Sequence, residues 1–347
     1  MLKLWLQTAC CLAVAAGILL ATEQGRAADD VSIGITNAGS DIALFIADAK
    51  GFFKREDIRP NFIAFDSAAK MIAPLGAGQL DVGGGAASSG LYNAIERGIG
   101  LKIVADKARN APGFGFQSLL VRKALVNDGS VKSIADLRGR KVAIVAQASS
   151  DASVLNEALK SAGLGFDDVD KVYLGFAQQL VAYQNGAIDA SITTEPTVTA
   201  ILNSSTAVRL MRNDKFYPNA QTSVILYGRV FSEGRLQVAN GFMKAYVRAI
   251  RYYNDALSNG RIAGANADEI IAIMAKYSTI KDPDLIRKMT AHSVDPYGVV
   301  NVESLQKDWT FFKNQNQISG NVTVDQVVDP TFAQAAVRAL GPYRSAK

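Results

Sequence analysis

The side chains that could do chemistry sit at turns between apolar runs and helical patterns, and they are hydroxyls, carboxylates and amides. Asn37, Ser40 and Asp41 follow the apolar run Val31–Ile35 and open an amphipathic stretch that ends at Gly51-Phe52-Phe53. Asp66 and Ser67 follow the next apolar run, Ala86 and Ser88 a glycine-rich one, and Gln147, Ser149 and Ser150 the run from Lys141 to Ala146. A helix starting where a strand ends aims its unsatisfied N–H groups beyond the sheet edge, so polar residues there can cap the helix and also hold a small anionic or polar ligand. Capping alone accounts for any one of these serines. Glu195 stands before Pro196. Its carboxylate can offset a helix dipole, or it can accept a hydrogen bond from an amine or hydroxyl of a ligand. The segment Lys107–Phe116, KARNAPGFGF, adds Arg109, which could pair with a carboxylate, and Phe114 and Phe116, which could cover an apolar body. Most such residues have no ligand role, so a surface arginine and partly packed rings are the preferred reading, and Tyr297 is a further candidate to overhang a cleft.

Several chemistries are excluded by what is missing. The only cysteines are Cys10 and Cys11, and the only histidine is His292. No Gly-x-Ser-x-Gly elbow is present, so an acyl-transfer triad would have to use that single histidine. A lone histidine is more often structural than a metal ligand. No catalytic residue, metal site or cofactor is expected.

Residues 1–27 carry an early Lys3, an apolar run Leu12–Ala21 and small residues at Gly25-Arg26-Ala27, the pattern of a secretory signal cleaved before Ala28. The apolar run is short for a membrane span. Both cysteines fall inside this leader, so the exported chain would hold no disulfide, thiolate metal site or cysteine nucleophile. Without the leader, 35 basic and 31 acidic side chains remain, a mild excess with no basic stripe that would suggest nucleic acid.

Apolar strand-like runs alternate with helical patterns as far as Tyr227, which predicts βαβ crossovers and mostly parallel sheets. After Phe231 helical periodicity dominates, with no convincing strand. Gly78-Gln79-Leu80-Asp81-Val82 and Gly186-Ala187-Ile188-Asp189-Ala190 share a helix stop, an aspartate and a following small-residue strand, the mark of two lobes of similar topology.

In order along the chain, IALFIADAKGFFKREDIRP, GAGQLDVGGGAASSG, SIADLRGRKVAI and AYQNGAIDASITTEPTVTA resemble the nitrate/sulfonate/taurine-type substrate-binding proteins of ABC importers, a family that also holds thiamine-precursor binders. A weaker match runs through DPDLIRKMTAHSVDPYG. The resemblance implies a two-lobed α/β Venus-flytrap fold with two mostly parallel sheets, two interlobe crossings and C-terminal helices. It places the crossings near Ser118–Val121 and Ser223–Tyr227, with 28–119 plus 226–347 as one lobe and 120–225 as the other. Ligand residues are then expected at Asn37, Ser40, Asp41, Asp66, Ser67, Ala86, Ser88, Phe116, Gln147, Ser149, Ser150 and Glu195, at the C-terminal ends of strands. Where the family pattern has Gly followed by Ser or Thr, this chain has Gln147-Ala148-Ser149-Ser150, which puts a side chain in place of a close backbone approach. Asp57 stands where the family pattern has Gly, and Asp tolerates a left-handed backbone. The implied role is capture of a small, acid-bearing organic solute in the periplasm by a monomer, and its delivery to the transmembrane subunits of a permease. A sensory or docking module for a membrane receptor is the alternative. A pyrimidine-synthase-like enzyme of the same fold would need cysteines that the exported chain lacks.

Overall fold

The computed structural model describes residues 27–345, so the expected signal segment lies outside the described residues except for Ala27. The first part of the chain is β1 (Asp29–Ile35), α1 (Ile42–Ala49), β2 (Ile58–Ala64), α2 (Ile72–Gly76), β3 (Val82–Gly85), α3 (Ser89–Glu96) and β4 (Leu101–Asn110). Beyond residues 111–116 follow β5 (Gln117–Arg122), α4 (Lys123–Asn127), β6 (Lys141–Ile144), α5 (Ser150–Ser161), β7 (Asp170–Tyr173), α6 (Phe176–Gln184), β8 (Ala190–Thr194), α7 (Thr197–Asn203) and β9 (Ala207–Arg212). Residues 213–219 lead back to β10 (Ala220–Gly228), α8 (Arg229–Gly234) and α9 (Leu236–Asp255). The remainder is a hairpin of β11 (Leu257–Ser258) and β12 (Arg261–Ile262), then α10 (Ala267–Tyr277), α11 (Pro283–Lys288), α12 (Val302–Asn314), α13 (Val324–Val327) and α14 (Thr331–Leu340).

Two five-stranded sheets result, ordered β2-β1-β3-β10-β4 and β7-β6-β8-β5-β9. β1 pairs with β2 and β3 in parallel, while β10 runs antiparallel between β3 and β4. In the second sheet β6 is parallel to β7 and β8, and β5 is antiparallel to both β8 and β9. Each sheet therefore has one strand against the direction of the others, and in each it is the strand that has just crossed from the other lobe. This corrects the expected crossings: Ser118–Val121 lies inside β5 and Ser223–Tyr227 inside β10, and the chain changes sheets earlier, over 111–116 and 213–219. The extended apolar runs expected at the crossings belong to interior strands. The hairpin at 257–262 is a second departure, since no strand was expected in the helical tail.

The two repeated aspartates do equivalent work. Asp81 accepts from the backbone N–H of Ser32 at 2.8 Å and pairs with Arg235, while Asp189 accepts from the N–H of Lys141 at 3.0 Å and pairs with Arg122. Each ties the entry of one strand to its parallel neighbour, β3 to β1 in the first sheet and β8 to β6 in the second. At the predicted left-handed position, Asp57 has φ 54°.

α9 buries Ala239, Phe242, Met243, Tyr246, Ala249, Ile250 and Tyr253, a stripe at helical spacing that packs on α1 and α14 over the first sheet. α12 leans the other way: Phe311 meets Phe166 edge-on at 5.0 Å, and Asp308 accepts from Ser153 of α5 at 2.6 Å. The C-terminal helices thus grip both lobes.

Candidate functional site

Strand-to-helix turns of both lobes close around one cavity. From the first lobe its wall takes Thr36, Ala38, Ser40, Ser67, Ala86 and Ser88, with Thr222 and Ser223 from β10. From the second lobe and the first crossing come Phe116, Gln117, Val145, Ser149, Asp151, Phe176 and Thr194. The space is about 500 Å³ when the open solvent at its mouth is included. Ser88 and Ser149 stand at the cap positions of α3 and α5, and Ser40 in the first turn leading into α1. Several positive helix ends therefore face the same space.

The lips of the cleft touch. Ser88 and Ser149 form an antiparallel bridge between the lobes, with the N–H of Ser89 donating to the carbonyl of Ala148 at 3.0 Å. On the other side the N–H of Gly39 donates to the carbonyl of Glu195 at 2.6 Å. Ala148, like Asn37, has a left-handed backbone, at φ 55°. For a residue with a Cβ that conformation costs roughly 1 kcal/mol, and here it turns the Ala148 carbonyl to the opposite lobe.

On the first-lobe side, Lys107 of β4 is fully buried, 2.7 Å from Asp41 Oδ1, and donates to Ser40 Oγ at 2.8 Å. Gly84 makes that route possible, because a Cβ there would lie 2.9 Å from Lys107 Cε. With its oxygen accepting from the ammonium, the Ser40 hydroxyl is left to donate toward the cavity. On the second-lobe side, Asp151 is buried and forms no ion pair among the described residues; its oxygens accept from Gln117 Nε2 at 3.2 Å and from the N–H of Val145 at 3.3 Å. Burial pushes its carboxyl up to about 6. Ser88 Oγ and Thr194 Oγ1 are buried cavity-wall hydroxyls with no hydrogen-bond partner among the described residues.

Of the sequence candidates, Ser40, Ser67, Ala86, Ser88, Phe116 and Ser149 come together in this wall. Asn37 and Asp66 are exposed on an adjoining groove at the cleft mouth, where Asp66 pairs with Lys70. Asp41 is behind the wall, held by Lys107. Gln147 is exposed outside the cavity, and Ser150 turns its hydroxyl to the carbonyl of Thr222.

Glu195 lies on the far side of Phe116, beside His292. Its carboxylate accepts from the N–H of Thr199 at 2.9 Å and of Thr290 at 3.2 Å, with the Arg209 guanidinium 3.8 Å away. Desolvation raises its carboxyl above the usual range. The Glu195–Pro196 peptide is cis. His292 packs against Tyr253 and Phe116, and burial drives it down to about 3, so it is neutral. Arg109 serves Asp106 and Asp295, and Tyr297 lies under Arg251, both away from the cavity. Asp151, Gln117, Thr194, Thr222 and Ser223 were missed. Asp151 sat in the first turn of a helix whose preceding serines drew the attention, and β10 residues reach the wall only through the crossing.

A family model described as NMT1/THI5 like matches residues 40–256. The chain belongs to this NMT1/THI5-like family. The match agrees with the resemblance carried by the ordered motifs and takes in turns of both lobes. Among curated relatives, a putative aliphatic sulfonates-binding protein of Escherichia coli strain K12 is 30% identical over 159 residues, 46% of each chain, so the alignment spans about half of that relative. Among solved structures, the alkanesulfonate-binding protein SsuA from Xanthomonas axonopodis pv. citri, bound to MOPS, aligns with TM-score 0.69 and 19% identity over 86% of this chain and 98% of its own. The desulfurization enzyme DSZB aligns with TM-score 0.62 and 15% identity over 90% of this chain and 100% of its own. At such identities the likeness is one of fold, and the NMT1/THI5-like fold is shared by a binder and an enzyme.

Proposed function

We propose that this chain is the solute-binding component of an ABC importer, acting outside the cytoplasm as a monomer: a small acid-bearing organic solute is captured between the lobes and the closed form is presented to a permease. The observation that carries this is the pair of orphaned hydroxyls, Ser88 Oγ from one lobe and Thr194 Oγ1 from the other, in the wall of one cavity between the lobes. Buried hydroxyls are normally satisfied, and a ligand touching both lobes would satisfy these and favour closure. The helix ends and the Lys107-backed Ser40 suit an acid group. The sulfonates-binding relative supports such a head group.

Binding rather than turnover is favoured because no cysteine or histidine is among the wall residues, which offer hydroxyls, an amide and one carboxylate. No helix among the described residues is long and apolar enough to cross a membrane, in keeping with a binding component that works beside its permease. Thermal shifts of the full exported chain with small sulfonates and carboxylates test the proposal. A ligand at about 100 times its dissociation constant stabilises by about 2.7 kcal/mol. Ser88→Ala with Thr194→Val should weaken the best binder by at least tenfold; unchanged affinity would remove the cavity from consideration.

A further inference from the structure

We infer that Asp308 of α12 is a positioning residue of the cavity: uncharged, it holds α5 and the second crossing together behind the wall, and ionised it loosens them. The inference rests on the cavity being the solute site, because α5 carries Asp151 to that wall and the second crossing leads into Thr222 and Ser223.

α12 turns a polar row to its neighbours where a packed helix is ordinarily apolar. Asn301, Ser304 and Asp308 stand three and four positions apart, on one face. The N–H of Asn301 donates to Gln221 Oε1 at 2.7 Å, and its Nδ2 to the carbonyl of Asn219 at 2.8 Å. Ser304 Oγ accepts from the N–H of Gln221 at 2.8 Å and lies 3.1 Å from the Tyr217 hydroxyl. One turn on, Asp308 Oδ1 accepts from the Tyr217 hydroxyl at 2.9 Å and from Ser153 Oγ of α5 at 2.6 Å. Residues 217–221 are thus splinted along α12, and the Asp308 carboxyl is where that splint meets α5.

The same carboxyl has no cation. It is buried and forms no ion pair among the described residues. Its neighbour Lys307 pairs with Glu157 of α5 at 2.6 Å and lies over the Tyr217 ring at 4.4 Å, and Glu157 adds repulsion. From α3, Tyr92 brings a buried hydroxyl without a partner among the described residues, its phenol pushed up by burial and by the charge of Asp308. β10 brings no charged side chain, and Asp325 of α13 is exposed. A charge enclosed in this way is costly, and burial pushes the Asp308 carboxyl up to about 7. In a loosened form that water reaches, it would return toward the ordinary range of about 3.9. The raised value belongs to the held arrangement, so that arrangement is favoured while the carboxyl is protonated and loses ground as pH rises through 7. From pH 6 to pH 8 its weight against the loosened form falls about tenfold. Asp151, on the same α5 and at about 6, adds about twofold in the same direction, so Asp308 dominates the interval.

Hydrogen exchange on the chain expressed from Ala28, corrected for its intrinsic pH dependence, tests this without solute. The amides of Tyr217, Gln221 and residues 152–156 should be about tenfold less protected at pH 8 than at pH 6. Asp308→Asn keeps an oxygen for both hydroxyls and cannot ionise, so its protection at pH 8 should match that of the wild type at pH 6. Asp308→Leu should be poorly protected at both. No drop in the wild type, or a drop of the same size in Asp308→Asn, would overturn the inference. Calorimetry with ethanesulfonate joins the contact to the cavity: the wild type should bind about tenfold more tightly at pH 6 than at pH 8, and Asp308→Asn within about twofold at the two. An affinity indifferent to pH beside pH-dependent protection would overturn the positioning role. No binding of ethanesulfonate at either pH would tell against the solute reading instead, and the protection pattern would still uphold or overturn the contact.

Discussion

Lys107 is a cation with no exposed surface, and it stands because Asp41 and Ser40 meet it and Gly84 leaves it room. A buried pair is a weak source of stability when intact and a strong liability when halved. Lys107→Met should therefore cost about 3–5 kcal/mol in denaturant unfolding, the range for an orphaned buried charge. Adding Asp41→Asn should recover more than half of that, because the uncompensated carboxylate is gone. A double variant no more stable than Lys107→Met alone would show that packing, not charge, is what Lys107 supplies. The sequence pointed to Asp41 as a ligand residue. Its partner lies 66 positions away on β4, a distance over which no local pattern operates.

At the scale of elements, Glu195 is a latch. From the start of α7 it accepts the N–H of Thr290, in the segment that follows α11, while its own carbonyl receives Gly39 at the start of the first helix. Glu195→Gln puts an amide where two N–H donors need an acceptor, so small-angle scattering should show a more open, ligand-free molecule and unfolding should cost about 1–2 kcal/mol less. A loss of solute selectivity with unchanged dimensions would instead return Glu195 to the cavity. What was legible at this scale follows the physics of each signal. Alternating runs, glycine stops and the two aspartates recorded local demands of strands and helix ends, and with the turns between them they pointed to both lobes and to six of the wall residues. Thr194, Thr222 and Ser223 read as ordinary strand residues because each is one. Their placement at the cavity comes from the chain crossing twice, and that is set by pairing between β10 and β3 or β5 and β8, far apart in sequence.

For the whole molecule, Ser88 and Ser149 form a bridge across the lips of the cleft. Antiparallel partners have Cα atoms about 4.5–5.5 Å apart, within disulfide range. In a chain expressed from Ala28, and so without Cys10 and Cys11, Ser88→Cys with Ser149→Cys should cross-link on mild oxidation, and the locked form should neither take up nor release solute in equilibrium dialysis. Failure to cross-link with or without solute would mean that the lips do not meet in solution. The two reversed strands carry a different consequence, in the order of assembly. All five strands of the second sheet fall between residues 117 and 212, so that sheet can form from one continuous stretch. The first cannot: β3 and β4 have a gap between them until residues 220–228 arrive, after the whole of the other lobe has been made. The lobe that comes first in the chain is therefore the one finished last.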